Sequence, residues 1–105
     1  MELQVDILFT KDCTDWETAD ELLQQALQEL GLEANIDYWL IESDRKAFEH
    51  KFVGSPTIRV NDEDLFPTKG ASAGLRLRPY FTDEGMLGHP TYEMIVAALK
   101  ERLGL

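Results

Sequence analysis

The residue best suited to covalent chemistry in this chain is Cys13, the single cysteine among 105 residues. It stands in Lys11-Asp12-Cys13-Thr14-Asp15-Trp16-Glu17, just ahead of a long amphipathic run. Free N–H groups at a helix start favour a thiolate, and Lys11 adds to that if it points inward. Asp12, Asp15 and Glu17 act in the opposite direction, so the net field on the sulfur stays open in sign. A thiolate attacks a disulfide to leave a mixed disulfide, which an external thiol then resolves. One cysteine cannot release its own product, so reduction of disulfides by an internal resolving thiol is excluded. An intramolecular disulfide and a cysteine-rich zinc site are excluded by the same count. The competing reading makes Cys13 a small residue packed at a helix start, with no chemistry.

Gly54-Ser55-Pro56-Thr57 is the second segment of interest. Proline ahead of a strand is often only a turn marker, and about 5 % of X-Pro bonds in folded proteins are cis. A cis bond here would aim the Ser55 backbone toward Cys13, with an N–H and a C=O free to pair with an extended peptide or glutathione. Ser55 and Pro56 are therefore binding candidates even if the thiol is inert. Trp16 is either core packing or an apolar ligand contact. His50 lies in the charged run Phe48-Glu49-His50-Lys51 and reads as solvated, while His89 leads into a helix; together they make no metal-site spacing. Arg76 and Arg78 alternate as charges do on an edge strand. The alternative for them is an anion-binding role, for example toward a glutathione carboxylate.

These residues need elements to hold them. Leu3–Thr10 alternates and then runs apolar, as a strand buried on both faces at its far end. Thr14 and Glu17 have the spacing of a capping box. Trp16, Ala19, Leu22, Leu23, Ala26, Leu27 and Leu30 then form one helical stripe, which Gly31 stops. Ile36–Ile41 reads as a second, largely buried strand. Ser43-Asp44 caps a short helix holding Ala47, Phe48 and Phe52. Thr57–Val60 is a strand, and Asn61-Asp62 turns it into a hairpin with Asp64-Leu65-Phe66. Residues 67–88 read as a long loop with one short strand at 75–77. Pro90 opens a last helix at its first position, with Ile95, Leu99 and Leu103 inward and Gly104 as its stop. The order is β-α-β-α-β-β-α, which implies a four-stranded mixed sheet with helices on both faces.

That layout, with Cys13 between the first strand and first helix and Gly54-Ser55-Pro56-Thr57 before the third strand, resembles the thioredoxin-like superfamily of thioredoxins and glutaredoxins. The resemblance covers residues 3 to 103 and implies a cis-Pro56 that faces Cys13. Trp16 stands where the family's second cysteine falls. The chain is also similar to small bacterial thioredoxin-like proteins in which a Cys-Pro-Asn-Trp-like loop is followed by Gly-Leu-x-Cys-Arg-x-Tyr. Here that second segment is Gly74-Leu75-Arg76-Leu77-Arg78-Pro79-Tyr80, with Leu77 at the cysteine's place.

Hydrophobic residues make up 44 % and charged residues 29 % of the chain, the balance of a globular protein. Twenty acidic against ten basic side chains give a net charge of −10, which repels phosphate backbones and anionic lipid. Nucleic acid and membrane are thus disfavoured as partners. No apolar run approaches the roughly 20 residues of a membrane span, and Met1-Glu2-Leu3-Gln4 does not open a signal peptide. The expectation is one cytoplasmic domain, residues 1–105, needing no metal or resident cofactor. Its expected role is monothiol redox chemistry. Cys13 is the nucleophile, Lys11, Trp16, Ser55 and Pro56 bind substrate, and glutathione or a protein disulfide is the partner. The alternative is a non-catalytic binding module that holds a protein partner in the groove beside Cys13 and Pro56.

Overall fold

Val5 and Ile7 point from one face of strand β1 (Leu3–Phe9) into the main core, and Leu8 points from the other face into a smaller one. The chain, a computed structural model describing residues 2–105, is built around this strand. Helix α1 (Trp16–Glu29) follows, then β2 (Ala34–Leu40), α2 (Asp44–Glu49), β3 (Thr57–Val60), β4 (Glu63–Asp64), β5 (Tyr80–Thr82), β6 (Gly85–Leu87) and α3 (Tyr92–Leu103). The fold is mixed α/β, with a four-stranded sheet ordered β2-β1-β3-β4. β2 runs parallel to β1, with Ile7 opposite Tyr38, while β3 runs antiparallel, with Ile7 opposite Ile58. The radius of gyration is 13.0 Å.

The α1 stripe buries Ala19, Leu23, Ala26 and Leu27 against β1, and α3 adds Ile95 and Leu99 on the same face. Each of the Leu and Ile side chains contributes about 1.5–3 kcal/mol on burial. Gly31 (φ 64°) and Gly104 (φ 69°) take left-handed positions that end α1 and α3, a conformation that costs other L-residues more. Ser43 caps α2 by accepting from the Lys46 N–H at 3.1 Å. Asn61 (φ 52°) and Asp62 (φ 71°) are both left-handed, as the tight β3–β4 turn requires. No helix among the described residues is long and apolar enough to cross a membrane.

Four expectations about the elements need correction. The α1 capping box does not form: Asp15 is the N-cap, and no side chain bonds the first turn. Its carboxylate lies instead against Gly88, where a Cβ would collide with it. β2 is an edge strand rather than a buried one, with Tyr38, Trp39 and Leu40 all more than 40 % exposed. Tyr38 and Leu40 lie opposite Ile7 and Phe9 on the α1 face at the sheet edge, and Trp39 lies opposite Leu8 on the face of α2, whose six residues span about 9 Å. The helix covers only the end of that sheet face, where Ala47 meets Leu8, Ile41 and Phe52. Phe48 points to solvent. Pro90 precedes the cap Thr91, which accepts from the Met94 N–H at 3.2 Å, so it is not the first helical residue. Residues 67–88 are not all loop: β5 and β6 form a separate two-stranded ribbon, and Leu77 makes a lone bridge to Ser55.

Candidate functional site

The β1–α1 connection carries Cys13 three residues before the helix begins, and a backbone bond from its N–H to the Thr10 carbonyl (3.1 Å) tightens the turn. The side chain is buried, with 5 % of the residue exposed. Lys11 is exposed beside it. Trp16 is half-buried and packs rather than reaching toward the thiol. Its ring stacks on Phe9 at 4.2 Å and meets Tyr38 edge-on at 5.9 Å, an arrangement that adds about 0.5–1.5 kcal/mol beyond area burial. It fills the seam between α1 and β2.

The Ser55–Pro56 peptide bond is cis, and both residues are buried. The Ser55 hydroxyl accepts from the Thr10 N–H at 2.9 Å, tying the turn to the end of β1. The ladder groups of Ser55 are not free, contrary to the sequence expectation. Its N–H donates to the Arg76 carbonyl at 2.8 Å, and its C=O accepts from the Arg78 N–H at 2.9 Å. Residues 76–78 thus run past Ser55 as a parallel bridge of one rung and occupy its backbone groups.

What pins this segment is Arg78, the largest departure from the sequence reading. It is 4 % exposed, so it is neither an edge charge nor available to a glutathione carboxylate. Its guanidinium donates to Asp64 Oδ2 at 3.0 Å, to Thr57 Oγ1 at 3.2 Å and to the Phe66 carbonyl. It also lies 4.8 Å from the centroid of the Tyr80 ring. A buried guanidinium needs this many partners, because each unpaired donor costs its full desolvation. Tyr80 in turn donates its hydroxyl to the Pro56 carbonyl. Burial, the main cause, holds that hydroxyl well above its ordinary pKa; Arg78 opposes the shift, while Asp64 and Cys13 add to it. The shift favours the protonated hydroxyl, the form that donates to Pro56. On the other side of the turn Gly54 sits at φ 145°, and a Cβ there would come within 2.7 Å of Arg78 Cβ.

Arg76, by contrast, is exposed, and its guanidinium folds back on its own loop toward the Ser72 carbonyl. His50 is half-buried with its ring 5.7 Å from that of Trp39, and His89 Nδ1 lies 2.9 Å from the Pro90 carbonyl. Among the described residues no three His, Cys, Asp or Glu side chains converge as metal ligands.

A cleft of about 290 Å³ remains open beside this closed turn. Ser55 lies at its floor, Asp15 and Gly88 at one side, and Leu77 and Met86 at its lip. Leu77 and Met86 are 61 % and 65 % exposed. Asp64, Leu77 and Tyr80 are the residues that sequence reasoning missed as parts of this site, and Arg78 was considered there only as an edge charge or an anion binder. The alternation Leu75-Arg76-Leu77-Arg78 was the local signal for Leu77 and Arg78, and it fits an exposed edge equally well. No family model, curated protein or solved structure matches the chain.

Proposed function

We propose that the chain is a thioredoxin-like domain that works as a binding module rather than as a thiol oxidoreductase. Three features support the thioredoxin-like reading: the element order, the β2-β1-β3-β4 sheet, and a cis-proline turn tied to the strand that leads to Cys13. Against catalysis stands one observation above the rest. The thiol is buried, and the strand position beside Pro56 is filled by residues 76–78 of the same chain. A disulfide substrate needs in-line access to the sulfur and a backbone partner beside it, and both are taken.

In this reading Cys13, Trp16, Ser55 and Pro56 are scaffold, and a protein partner docks on the cleft lip formed by Leu77 and Met86. The cellular setting that suits such a reduced, buried thiol is the cytoplasm. Incubation of the folded protein with glutathione disulfide, followed by intact mass measurement, tests the proposal. No adduct is expected at Cys13 in the fold, and full adduct formation is expected after denaturation. Rapid adduct formation by the native protein would restore the monothiol redox reading.

A further inference from the structure

We propose that the groove between the β5–β6 ribbon and α3 docks a basic amphipathic segment of a partner protein. The inference rests on the binding-module reading and goes beyond it, adding a second docking surface to the Leu77–Met86 cleft. The ribbon alternates as strands do: Tyr80 turns inward onto Phe66 at 5.7 Å, and Phe81 turns outward. Phe81 is 79 % exposed and pairs across the ribbon with Met86, which is also exposed. The ribbon is hydrogen-bonded to no other sheet, and a groove of about 770 Å³ lies between it and α3. Phe81, Met94 and Ala97 give the groove an apolar lining, and Asp83, Glu84 and Glu93 add three carboxylates.

Among the described residues no Lys or Arg side chain lines this groove, and none of the three carboxylates takes an ion pair. Exposed apolar surface next to single-sign charge is the pattern of a site that recognises an apolar anchor flanked by cations. A second copy of this chain is the poorer occupant, because a net charge of −10 opposes self-association. The cationic partner would be steered to the groove by the same field and held there by burial of its anchor against Phe81.

The test is binding of a fluorescein-labelled peptide of repeating Leu-Leu-Lys-Lys blocks, read by anisotropy and by amide shifts in 15N spectra. Binding is expected, weakened about tenfold or more by Asp83→Lys with Glu84→Lys and Glu93→Lys, and likewise by Phe81→Ser. Amide shifts are expected at 81–84 and 93–97. Reversing three exposed carboxylates elsewhere, Glu21→Lys, Glu33→Lys and Glu42→Lys, matches the charge change and is expected to weaken binding less than about threefold. Equal loss in that control, equal binding of a Ser-for-Leu peptide, or no binding would overturn the inference. Concentration-dependent shifts of the groove amides without peptide would also overturn it, in favour of a second copy. A footprint on Ser55, Leu77 and Gly88 would overturn the groove but leave the binding-module reading standing. That reading itself fails only on reactivity of Cys13, a separate measurement.

Discussion

Ser55 and Leu77 form a parallel bridge of one rung, with the Ser55 N–H on the Arg76 carbonyl and the Arg78 N–H on the Ser55 carbonyl. The Leu77 side chain points outward, 61 % exposed. This pairing occupies the backbone groups that a bound peptide would use, and it gives the first prediction. Ser55 and Arg78 amides exchange with solvent slowly, by opening of the turn, and the Leu77 amide exchanges at least ~100-fold faster. Fast exchange at Ser55 would mean that the 76–78 segment leaves the turn readily and that the groove is available.

Arg78 should be the most expensive polar side chain to remove. Arg78→Met leaves Thr57, Asp64 and the Phe66 carbonyl without their shared donor. Loss of about 3 kcal/mol is expected in urea denaturation, by analogy with other broken buried pairs. Arg78→Lys should recover only part of it, because an ammonium cannot reach three acceptors with a planar fork. A loss below about 0.5 kcal/mol for Arg78→Met, the range of ordinary surface substitutions, would count against the pinning role.

Gly54 and Gly31 separate steric contact from backbone conformation. Both have positive φ, but only Gly54 has Arg78 behind it; a Cβ at Gly31 meets nothing within 4 Å. Gly31→Ala should cost about 1 kcal/mol, the left-handed penalty alone. Gly54→Ala should cost about 3 kcal/mol, because strain and displacement of Arg78 add. Equal melting temperatures for the two variants would contradict the close approach.

Tyr80 sets the alkaline limb of stability. Its folded pKa is raised above the ordinary tyrosine value of about 10, chiefly by burial. The unfolded chain therefore loses the proton first, and its contribution to stability is complete below about pH 10 and declines above it. The expected slope from this group is about −1.4 kcal/mol per pH unit between the unfolded and folded values. Tyr80→Phe should flatten that limb and lower stability at neutral pH by about 1 kcal/mol for the lost bond to Pro56. An unchanged alkaline slope in the variant would show that Tyr80 ionises freely in the fold.

The parts of this fold legible in the sequence are those with local physics. The α1 stripe from Trp16 to Leu30, the left-handed stops at Gly31 and Gly104, the Ser43 cap and the Asn61-Asp62 turn all follow from residue types a few positions apart. What was not legible depends on tertiary packing. Ile36–Ile41 has the composition of an interior strand, yet its exposure follows from its place at the edge of the sheet. The capping box at Thr14 and Glu17 lost to the placement of Asp15 against Gly88, which is 73 residues away in sequence. Arg78 looked like an edge charge because its acceptors, Thr57, Asp64 and Phe66, come from a hairpin formed earlier in the chain. The cis bond at Pro56 was expected from the family resemblance, and Cys13 was legible as the single thiol ahead of α1. That the chain itself closes the space beside the turn was not.

The most direct test of the binding-module account is the rate of iodoacetamide alkylation of Cys13 in native and in denatured protein at one pH. The account predicts that the native rate is at least ~100-fold slower, because a buried thiol reacts only through opening of the fold. Comparable rates, or faster labelling of the native protein, would contradict it and make Cys13 an accessible nucleophile.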